Sequence, residues 1–299
     1  MQKTETRIGF VGLGNMGGHM ADRYIRSGYQ VFGTSRTRDR AQGLVEEGLR
    51  WRDTAREVAE AVDVLFTSLP DDGTLESVAS GADGILAGVG ADTIWVDVST
   101  VSPPLSRDLA RRVRARRAMM LDAPVSGSVP QVRAGTLMIM VGGDRGAYSR
   151  VEPILRLLGS PVHVGENGHG MALKLAVNIS LAVQMLALSE GLLFAEREGV
   201  DLNVALEVMT QSPIGSPMLK GRAPLVLDLP DDAWFDIELM HKDIRLALAT
   251  AGELDVSRTA ADLADKTLSR AEELGYGKRD LAALFQVFER MNTQPEKAA

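Results

Sequence analysis

The chain has 299 residues, which is too long for one ordinary core and suits two domains. Its net charge of −7 argues against nucleic acid as the main partner, because no basic excess is available to neutralise phosphates. The absence of cysteine excludes disulfides and thiolate metal sites. It is also compatible with the cytoplasmic location that we predict, as is the N-terminus MQKTETRIGFVGLGNMG, which lacks a signal-peptide pattern.

The first half of the sequence alternates short apolar runs with amphipathic stretches. The runs that read as strands are Arg7–Val11, Gln30–Thr34, Val62–Leu69, Thr93–Val98, Met119–Ala123 and Leu137–Val141. The stretches that read as helices are Asn15–Ser27, Ala55–Ala61 and Pro104–Arg116. This alternation predicts an α/β domain over residues 1–165, with a doubly wound parallel sheet covered on both faces.

After Pro161–Gly165 the strand signals stop and the sequence reads as helices. These are Met171–Leu188, Leu202–Gln211, a helix through His241–Ala251, Thr259–Leu274 and Leu281–Met291. We therefore predict an all-α domain over residues 166–292, which the long first helix joins to the α/β domain. The tail 293–299, TQPEKAA, is predicted to be disordered.

The long helix contains MALKLAVNISLAV, from Met171 to Val183, and is apolar on every face, which predicts a buried helix. It is long enough to cross a bilayer, but Lys174, Asn178 and Gln184 would be costly in lipid, so we predict no membrane span. Lys174 and Asn178 stand one turn apart and project from the same face. A buried lysine needs a partner or a role, and the alternative is a side chain whose ammonium reaches solvent.

A glycine motif follows the first strand and opens a helix. Gly12-Leu13-Gly14-Asn15-Met16-Gly17 matches G-x-G-x-x-G in the context that a dinucleotide site requires. The glycines permit the tight turn, the approach of a pyrophosphate and close helix–strand packing, and the helix N-terminus supplies amide donors. We predict that these residues bind the cofactor, and a plain glycine turn is the alternative.

The end of the second strand indicates which dinucleotide is preferred. An acidic residue there would bind the ribose 2′-hydroxyl of NAD, but this sequence has Ser35, Arg36 and Thr37. A guanidinium with nearby hydroxyls suits a 2′-phosphate, so NADP(H) is predicted to be preferred, with NAD possible. The alternative is that Arg36 and Arg38 are merely solvated surface charges.

Other strand ends should border the same crevice, because ligands bind at the carboxyl ends of strands in open α/β sheets. Leu69-Pro70 ends one strand and Ser99-Thr100 ends another. We predict that Leu69, Pro70 and Thr100 contact the cofactor, although ordinary loops remain an alternative.

A small-residue turn lies in the segment DAPVSGSVPQVRAGTLMIMVGG, which runs from Asp122 to Gly143. Ser126-Gly127-Ser128 offers amides and hydroxyls that suit a small carboxylate. On this stretch alone, a flexible loop is the favoured interpretation.

The sequence resembles the β-hydroxyacid dehydrogenase family. The blocks that carry the resemblance span nearly the whole chain in family order: IGFVGLGNMG, DAPVSGSVPQVRAGTLMIMVGG, GHGMALKLAVN and LMHKDIRLAL. The resemblance implies an N-terminal Rossmann domain, a long interdomain helix and a helical C-terminal domain. It further implies NAD(P)-dependent interconversion of a small 3-hydroxy or 2-hydroxy acid and its semialdehyde or keto form.

The resemblance also implies roles for individual residues. Ser126, Gly127 and Ser128 would hold the substrate carboxylate, Lys174 would be the catalytic lysine, and Asn178 its neighbour on the substrate. Further along the chain, Lys242 would lie against the cofactor, Asp243 would position that segment, and Phe235 would lie near the nicotinamide. Family relatives pair through the helical domain, which implies a homodimer or homotetramer.

Two departures from the family pattern bear on the substrate. Many 3-hydroxyisobutyrate dehydrogenases have two glycines after the loop serine, whereas this chain has Gly127-Ser128. A backbone amide survives that change, so carboxylate binding should survive too. Many relatives also have a second asparagine where this chain has Val177, which makes the helix more like that of the glyoxylate/succinic semialdehyde reductases.

The residues suit proton transfer by a lysine. Neutral Lys174 would accept the hydroxyl proton in oxidation, and protonated Lys174 would donate it in reduction, while Asn178 binds the same oxygen. Gly170, one turn earlier, would leave room for the ligand. The histidines His163, His169 and His241 have no carboxylate partner in the sequence pattern and are predicted to be structural or solvated. No metal-ligand spacing appears, so we predict no metal.

Two other functions compete with a dehydrogenase. An imine reductase shares the architecture that the resemblance implies but typically replaces the lysine, so Lys174 counts against it. A non-catalytic NADP-binding interaction protein on the same fold is the second alternative, and Lys174 again counts against it.

Overall fold

The structure is a computed structural model that describes residues 6–293. Its strands there are β1 Arg7–Val11, β2 Gln30–Thr34, β3 Arg50–Trp51, β4 Val64–Thr67, β5 Ile94–Asp97, β6 Met119–Asp122, β7 Val125–Ser126, β8 Leu137–Gly143 and β9 Gly159–Gly165. The helices of the first half are α1 Asn15–Arg26, α2 Gln42–Glu46, α3 Ala55–Ala61, α4 Asp72–Ala79, α5 Ile85–Gly88, α6 Pro103–Arg114, α7 Val129–Ala134 and α8 Arg145–Leu155. The remaining helices are α9 His169–Arg197, α10 Leu202–Gln211, α11 Pro217–Leu227, α12 Ile237–Glu253, α13 Thr259–Glu273 and α14 Leu284–Thr293.

The chain divides into two compact units between Lys174 and Leu175, inside α9. In the first unit, the strands form one sheet in the order β3-β2-β1-β4-β5-β6-β8-β7, with β9 paired to β8. The strands from β3 to β6 are parallel, whereas β8 runs antiparallel to β6 and β7. Strand β1 has β2 as its neighbour on one side and β4 on the other, so the strand order reverses at β1. In open α/β sheets such a reversal places a ligand crevice at the carboxyl ends of the two strands, here β1 and β4.

Both faces of the sheet are buried, as the alternation of side chains along β1 illustrates. Phe10 stacks on Phe66 with 5.0 Å between ring centroids, in the core that contains Tyr24 of α1. On the other face, a Cβ at Gly9 would lie only 2.7 Å from Val58 of α3, so the glycine lets that helix pack closely. Each large apolar side chain buried in this way contributes about 1.5–3 kcal/mol to stability. The doubly wound α/β fold is confirmed.

The second unit is helical, with a core formed by α10 to α14 and the later part of α9. Met185 and Leu192 of α9 are fully buried there with Ile244 and Leu268. A buried ion pair adds to this core, since Arg222 Nη1 lies 2.6 Å from Asp280 Oδ1. Burial lowers the pKa of the Arg222 guanidinium, an effect that the attraction of Asp280 opposes.

Helix α9 is buried along one stripe and not on every face, which corrects the expectation from its composition. Leu173 is 42% exposed and Phe194 is 71% exposed, whereas Ala182 and Met185 are fully buried. An apolar sequence does not specify which face of a helix packs within its own chain. Among the described residues, α9 is the helix long and apolar enough to cross a membrane, a property that core helices of soluble proteins share.

Most of the predicted elements are present with small shifts at their ends, but α9 runs on past the predicted end at Leu188 as far as Arg197. Strands β1 and β2 and helices α3 and α10 have the predicted bounds. Among the helices of eight residues or more, α4, α8 and α11 were not predicted. Of the expected disordered tail 293–299, Thr293 is the last residue of α14 and the rest lies outside the described residues.

Candidate active site

The glycine turn joins β1 to α1 at the crevice. Gly12 has φ +95°, a conformation that favours glycine, and its N–H donates to Thr34 O at 3.0 Å. A Cβ at Gly12 would lie 2.3 Å from Ser68 O, and one at Gly17 would lie 2.2 Å from Gly12 O. Glycine is therefore required at both positions for the backbones of β1, α1 and the loop after β4 to approach each other.

Gly14 differs from the other two glycines because it faces open space. A Cβ there would meet no atom within 4 Å. Gly14 is also the N-cap of α1, and no side chain caps that helix. An uncapped helix N-terminus with a glycine beside open space is what a pyrophosphate needs, so Gly12 to Gly17, including Leu13, Asn15 and Met16, fit a dinucleotide.

The residues predicted to select NADP lie at the end of β2. Thr34 is buried and Ser35 is half-buried, whereas Arg36 and Thr37 are exposed. Arg38 is also exposed, with its guanidinium carbon 5.5 Å from the centroid of the Trp51 ring. The structure thus places a guanidinium and two hydroxyl groups at this strand end, and their ligand role stays a prediction.

The loops after β4 and β5 are fastened to each other next to the glycine turn. Leu69 N–H donates to Ser99 Oγ at 2.9 Å. A Cβ at Gly12 would lie 3.0 Å from Leu69 Cδ2, so Leu69 lies against the glycine turn. Pro70 and Thr100 follow directly on these loops, at the carboxyl ends of β4 and β5.

A buried carboxylate, that of Asp97, organises these loops, and the sequence did not single it out. Asp97 Oδ1 accepts hydrogen bonds from Thr67 Oγ1 at 2.7 Å and from Ser99 N at 3.1 Å, and Trp95 Nε1 donates to Thr67 Oγ1 at 2.8 Å. Complete burial raises the pKa of Asp97 to about 6, against the opposing effect of these hydrogen bonds.

The predicted substrate turn lies at the end of β7. Ser126 is half-buried and pairs with Met138 of β8, and Gly127 has φ +128°, which favours glycine. Ser128 is engaged inside the turn, because its N–H donates to Gln131 Oε1 at 2.9 Å and its Oγ lies 3.2 Å from the same oxygen. The Ser128 amide is thus engaged within the turn, and its role toward a substrate carboxylate stays a prediction. The pattern Ser-x-x-Gln is a capping signal that the sequence already contains.

Lys174 lies on α9 and is 9% exposed, and Asn178, one turn later, is fully buried. Asn178 Nδ2 donates to Asp243 Oδ2 at 2.5 Å. The other carboxylate oxygen of Asp243 lies 2.8 Å from Lys242 Nζ. Asp243 therefore orients both Asn178 and Lys242, a contact that the residue spacing does not reveal.

Phe235 is held by the same carboxylate that pairs with Arg222. Asp280 Oδ2 accepts hydrogen bonds from Trp234 N at 2.9 Å and Phe235 N at 3.1 Å. The backbone of Phe235 is thereby fixed, and the proposed place of its ring near the nicotinamide stays a prediction.

One of the histidines, His241, has partners that the sequence pattern does not show. His241 is 1% exposed, and its ring nitrogens lie 2.8 Å from Glu272 and 3.0 Å from Asp265, so it has carboxylate partners after all. Both partners are on α13, too distant in sequence for a pattern to show. Within residues 6–293, no group of His, Asp and Glu side chains is arranged to hold a metal ion.

Gly170 does not leave room for a ligand, which corrects a second expectation. A Cβ at Gly170 would lie 2.5 Å from Met140 O and 2.8 Å from Asp122 O. The glycine instead lets the first turn of α9 lie directly against β6 and β8.

A sheet whose order reverses at β1, with a glycine turn beside an open helix N-terminus, defines a dinucleotide-binding protein of the Rossmann class. Comparison with known proteins agrees. Residues 7–167 match the NAD binding domain of 6-phosphogluconate dehydrogenase. Residues 168–288 match the NAD-binding domain of NADP-dependent 3-hydroxyisobutyrate dehydrogenase.

Individual relatives are similar over most of their length. The chain is 32% identical to glyoxylate/succinic semialdehyde reductase 2 of Arabidopsis thaliana, over 93% of this chain and 78% of that one. It is 35% identical to 3-hydroxyisobutyrate dehydrogenase of Pseudomonas aeruginosa, over 88% and 91% respectively. The solved structure of Psf3 in complex with NADP+ and 2-OPP matches with a TM-score of 0.88 and 25% identity, over 94% and 99%.

The chain therefore belongs to the β-hydroxyacid dehydrogenase family and is an oxidoreductase that uses a nicotinamide cofactor. Imine reductases are more distant. The structure of one from Pseudomonas sp. matches at 22% identity over 95% of this chain and 100% of that one, with a TM-score of 0.64, which shows a shared fold alone.

Proposed function

We propose that the chain is an NADP-preferring β-hydroxyacid dehydrogenase or semialdehyde reductase in which Lys174 is the general acid–base. The observation that carries this proposal is a nearly buried lysine on α9, one turn from the fully buried Asn178. A lysine and an amide one turn apart on the same face of a helix suit proton transfer to, and hydrogen bonding of, one substrate oxygen.

The chain's own residues supply binding and proton transfer. The bound nicotinamide would supply the hydride in reduction and accept it in oxidation. Lys174 would donate a proton to the carbonyl oxygen in reduction and remove the hydroxyl proton in oxidation. Asn178, oriented by Asp243, would hydrogen-bond the same oxygen, and Ser126 with the N–H of Gly127 would hold the carboxylate.

The preference for NADP rests on the end of β2. Ser35, Arg36 and Thr37 occupy the place where an NAD-specific site has a carboxylate, and Arg36 is exposed to an incoming ligand. A guanidinium forms charge-assisted hydrogen bonds to a phosphate and gains little from a 2′-hydroxyl. The remaining cofactor contacts that we propose are Leu69, Pro70, Thr100, Phe235 and Lys242.

The substrate class is a small carboxylate with a hydroxyl, aldehyde or keto group. The names of the relatives point to glyoxylate, succinic semialdehyde and 3-hydroxyisobutyrate. Val177 removes an amide that many relatives have beside the asparagine that corresponds to Asn178, which favours a semialdehyde or glyoxylate.

A substrate screen tests this proposal. Absorbance of the reduced nicotinamide is followed with NADPH and NADH against glyoxylate, succinic semialdehyde and tartronate semialdehyde, and with NADP+ and NAD+ against 3-hydroxyisobutyrate and serine. We expect turnover of at least one carboxylate, faster with the phosphorylated cofactor. Activity on cyclic imines with none on carboxylates would favour the imine reductase, and binding of NADPH without any turnover would favour a non-catalytic protein.

We also propose that the chain forms a homodimer or homotetramer in the cytoplasm, without a nucleic acid or membrane partner. Exposed apolar side chains of the helical unit support the assembly, among them Phe194, Val204 and Val208, which are 71%, 52% and 61% exposed. Light scattering coupled to size exclusion tests it, and a monomer at micromolar concentration would contradict it.

A further inference from the structure

The buried carboxylate of Asp122 connects two elements by hydrogen bonds. One is strand β6, which precedes the substrate turn, and the other is helix α9, which carries Lys174. Asp122 is the last residue of β6 and is fully buried. Its Oδ1 accepts a hydrogen bond from Gly168 N at 2.8 Å, and its Oδ2 accepts one from Met171 N at 3.0 Å. Asp122 therefore caps α9 from outside the helix, in the way that an N-cap side chain does from within.

The carboxylate fits this junction without spare room. A Cβ at Gly142, the residue paired with Asp122 across β6 and β8, would lie 2.7 Å from Asp122 Oδ2. Gly170 has as little clearance, because its Cβ would lie 2.8 Å from Asp122 O. Glycines on both sides thus let the sheet and the helix meet around this side chain.

Burial and hydrogen bonding act on the pKa of Asp122 in opposite directions. Burial raises the pKa of Asp122, and the hydrogen bonds from Gly168 and Met171 oppose that effect. Amide donors at a helix N-terminus also carry a partial positive charge that favours an anion. The bonding is directional, because each oxygen accepts from a different amide of the same turn.

We propose that Asp122 is a positioning residue of the active site, which sets the rotation and axial place of α9 relative to the substrate turn. Along the chain, Asp122 is followed by Pro124 and then by Ser126 of the substrate turn. Its hydrogen-bond partner Met171 lies on α9, nearly one turn before Lys174. The inference rests on the proposed function, because it assigns Lys174 and Ser126 to the same substrate.

The variant Asp122→Asn tests the proposal with little change in volume. Asparagine keeps one acceptor but presents an N–H₂ group to the second amide, so one anchor is lost. We expect kcat/KM for the carboxylate substrate to fall at least about tenfold, because small misplacements of catalytic groups are costly in rate. The dissociation constant for NADPH, measured by fluorescence titration, should change less than about twofold, since the glycine turn is elsewhere.

Asp144→Asn is the matched control. Asp144 caps α8 by accepting a hydrogen bond from Ala147 N at 2.8 Å, so it is the same type of anchor in the same unit. We expect it to change stability but to leave kcat/KM near the wild-type value. A purely structural role for Asp122 would make the two variants alike, and that result would overturn the proposal, as would an Asp122→Asn enzyme with unchanged kcat/KM.

Hydrogen–deuterium exchange separates this inference from the proposed function. Asp122→Asn should raise exchange over residues 168–174 and 125–128 together, whether or not a carboxylate substrate is found. Unchanged exchange in both segments overturns the inference, whereas a wild-type enzyme without turnover overturns the proposed function. If Asp122→Asn does not fold, Gly142→Ala is measured in the same assays. Its added methyl group would lie 2.7 Å from Asp122 Oδ2 and would displace that carboxylate.

Discussion

At the scale of single residues, Asp97 makes the stability of the protein depend on pH. The pKa of Asp97 is raised from 3.8 to about 6, so the folded state binds this proton more tightly than the unfolded state does. Its contribution to the free energy of unfolding is therefore fully present below about pH 4 and is lost as the pH rises through about 6.

Comparison with Asp97→Asn isolates that contribution. Asparagine does not titrate, so the free energy of unfolding of the wild type should fall relative to the variant by up to about 3 kcal/mol between pH 4 and 7. Urea unfolding of both proteins at several pH values measures it. A difference that is independent of pH would contradict the assignment.

Arg36 is the residue on which the proposed preference for NADP depends. Replacing Arg36 by alanine removes the guanidinium proposed for the 2′-phosphate, and we expect KM for NADPH to rise about tenfold or more, with KM for NADH nearly unchanged. Arg40→Ala is the control, because Arg40 is an exposed arginine four residues further along the chain. Equal effects on both cofactors would show that Arg36 is only a surface charge.

At the scale of elements, the approach of α9 to the sheet depends on Gly170. A methyl group at this position would meet Met140 O and Asp122 O, both backbone atoms that cannot rotate away. We expect Gly170→Ala to lower the free energy of unfolding by about 1–3 kcal/mol. Urea unfolding monitored by circular dichroism gives the measurement.

Gly221 provides the contrast within another helix. It lies in α11, and a Cβ there would meet no atom within 4 Å. Gly221→Ala should therefore stabilise the protein by up to about 1 kcal/mol through helix propensity. Stabilisation by both substitutions would contradict the packing that we describe for α9.

The elements that the sequence did not predict have identifiable causes. Helices α8 and α11 contain Pro153 and Pro224 in their interiors, and proline ordinarily ends a helix. By contrast, β1 and β2 were predicted to the residue because period, apolar content and flanking turns agree there. Strand β7 and helix α7 are too short for a periodic signal.

The candidate site was predictable only where its residues form local motifs. The glycine turn and the placement of Lys174 and Asn178 on one helix follow from spacing. Asp97 and Asp122 were missed because their role comes from burial and from partners on other strands or helices. The contact of Asp243 with Asn178 was missed for the same reason, since the two lie far apart in sequence.

At the scale of the whole molecule, binding of the cofactor should stabilise the folded chain. NADPH at about 100 times its dissociation constant adds about 2.7 kcal/mol to the free energy of unfolding. A thermal shift that is larger with NADPH than with NADH at equal concentration is expected from the end of β2. Equal shifts would contradict the preference for NADP.

The central claim, that Lys174 carries the proton in a carboxylate-specific hydride transfer, is tested most directly by turnover of Lys174→Met. Methionine keeps the apolar stem and removes the amine, and Lys220→Met controls for loss of an exposed lysine. We predict that kcat falls by about 100-fold or more in Lys174→Met and that NADPH binding is retained, with Lys220→Met unchanged. Near-normal turnover of the best carboxylate substrate by Lys174→Met would contradict the account.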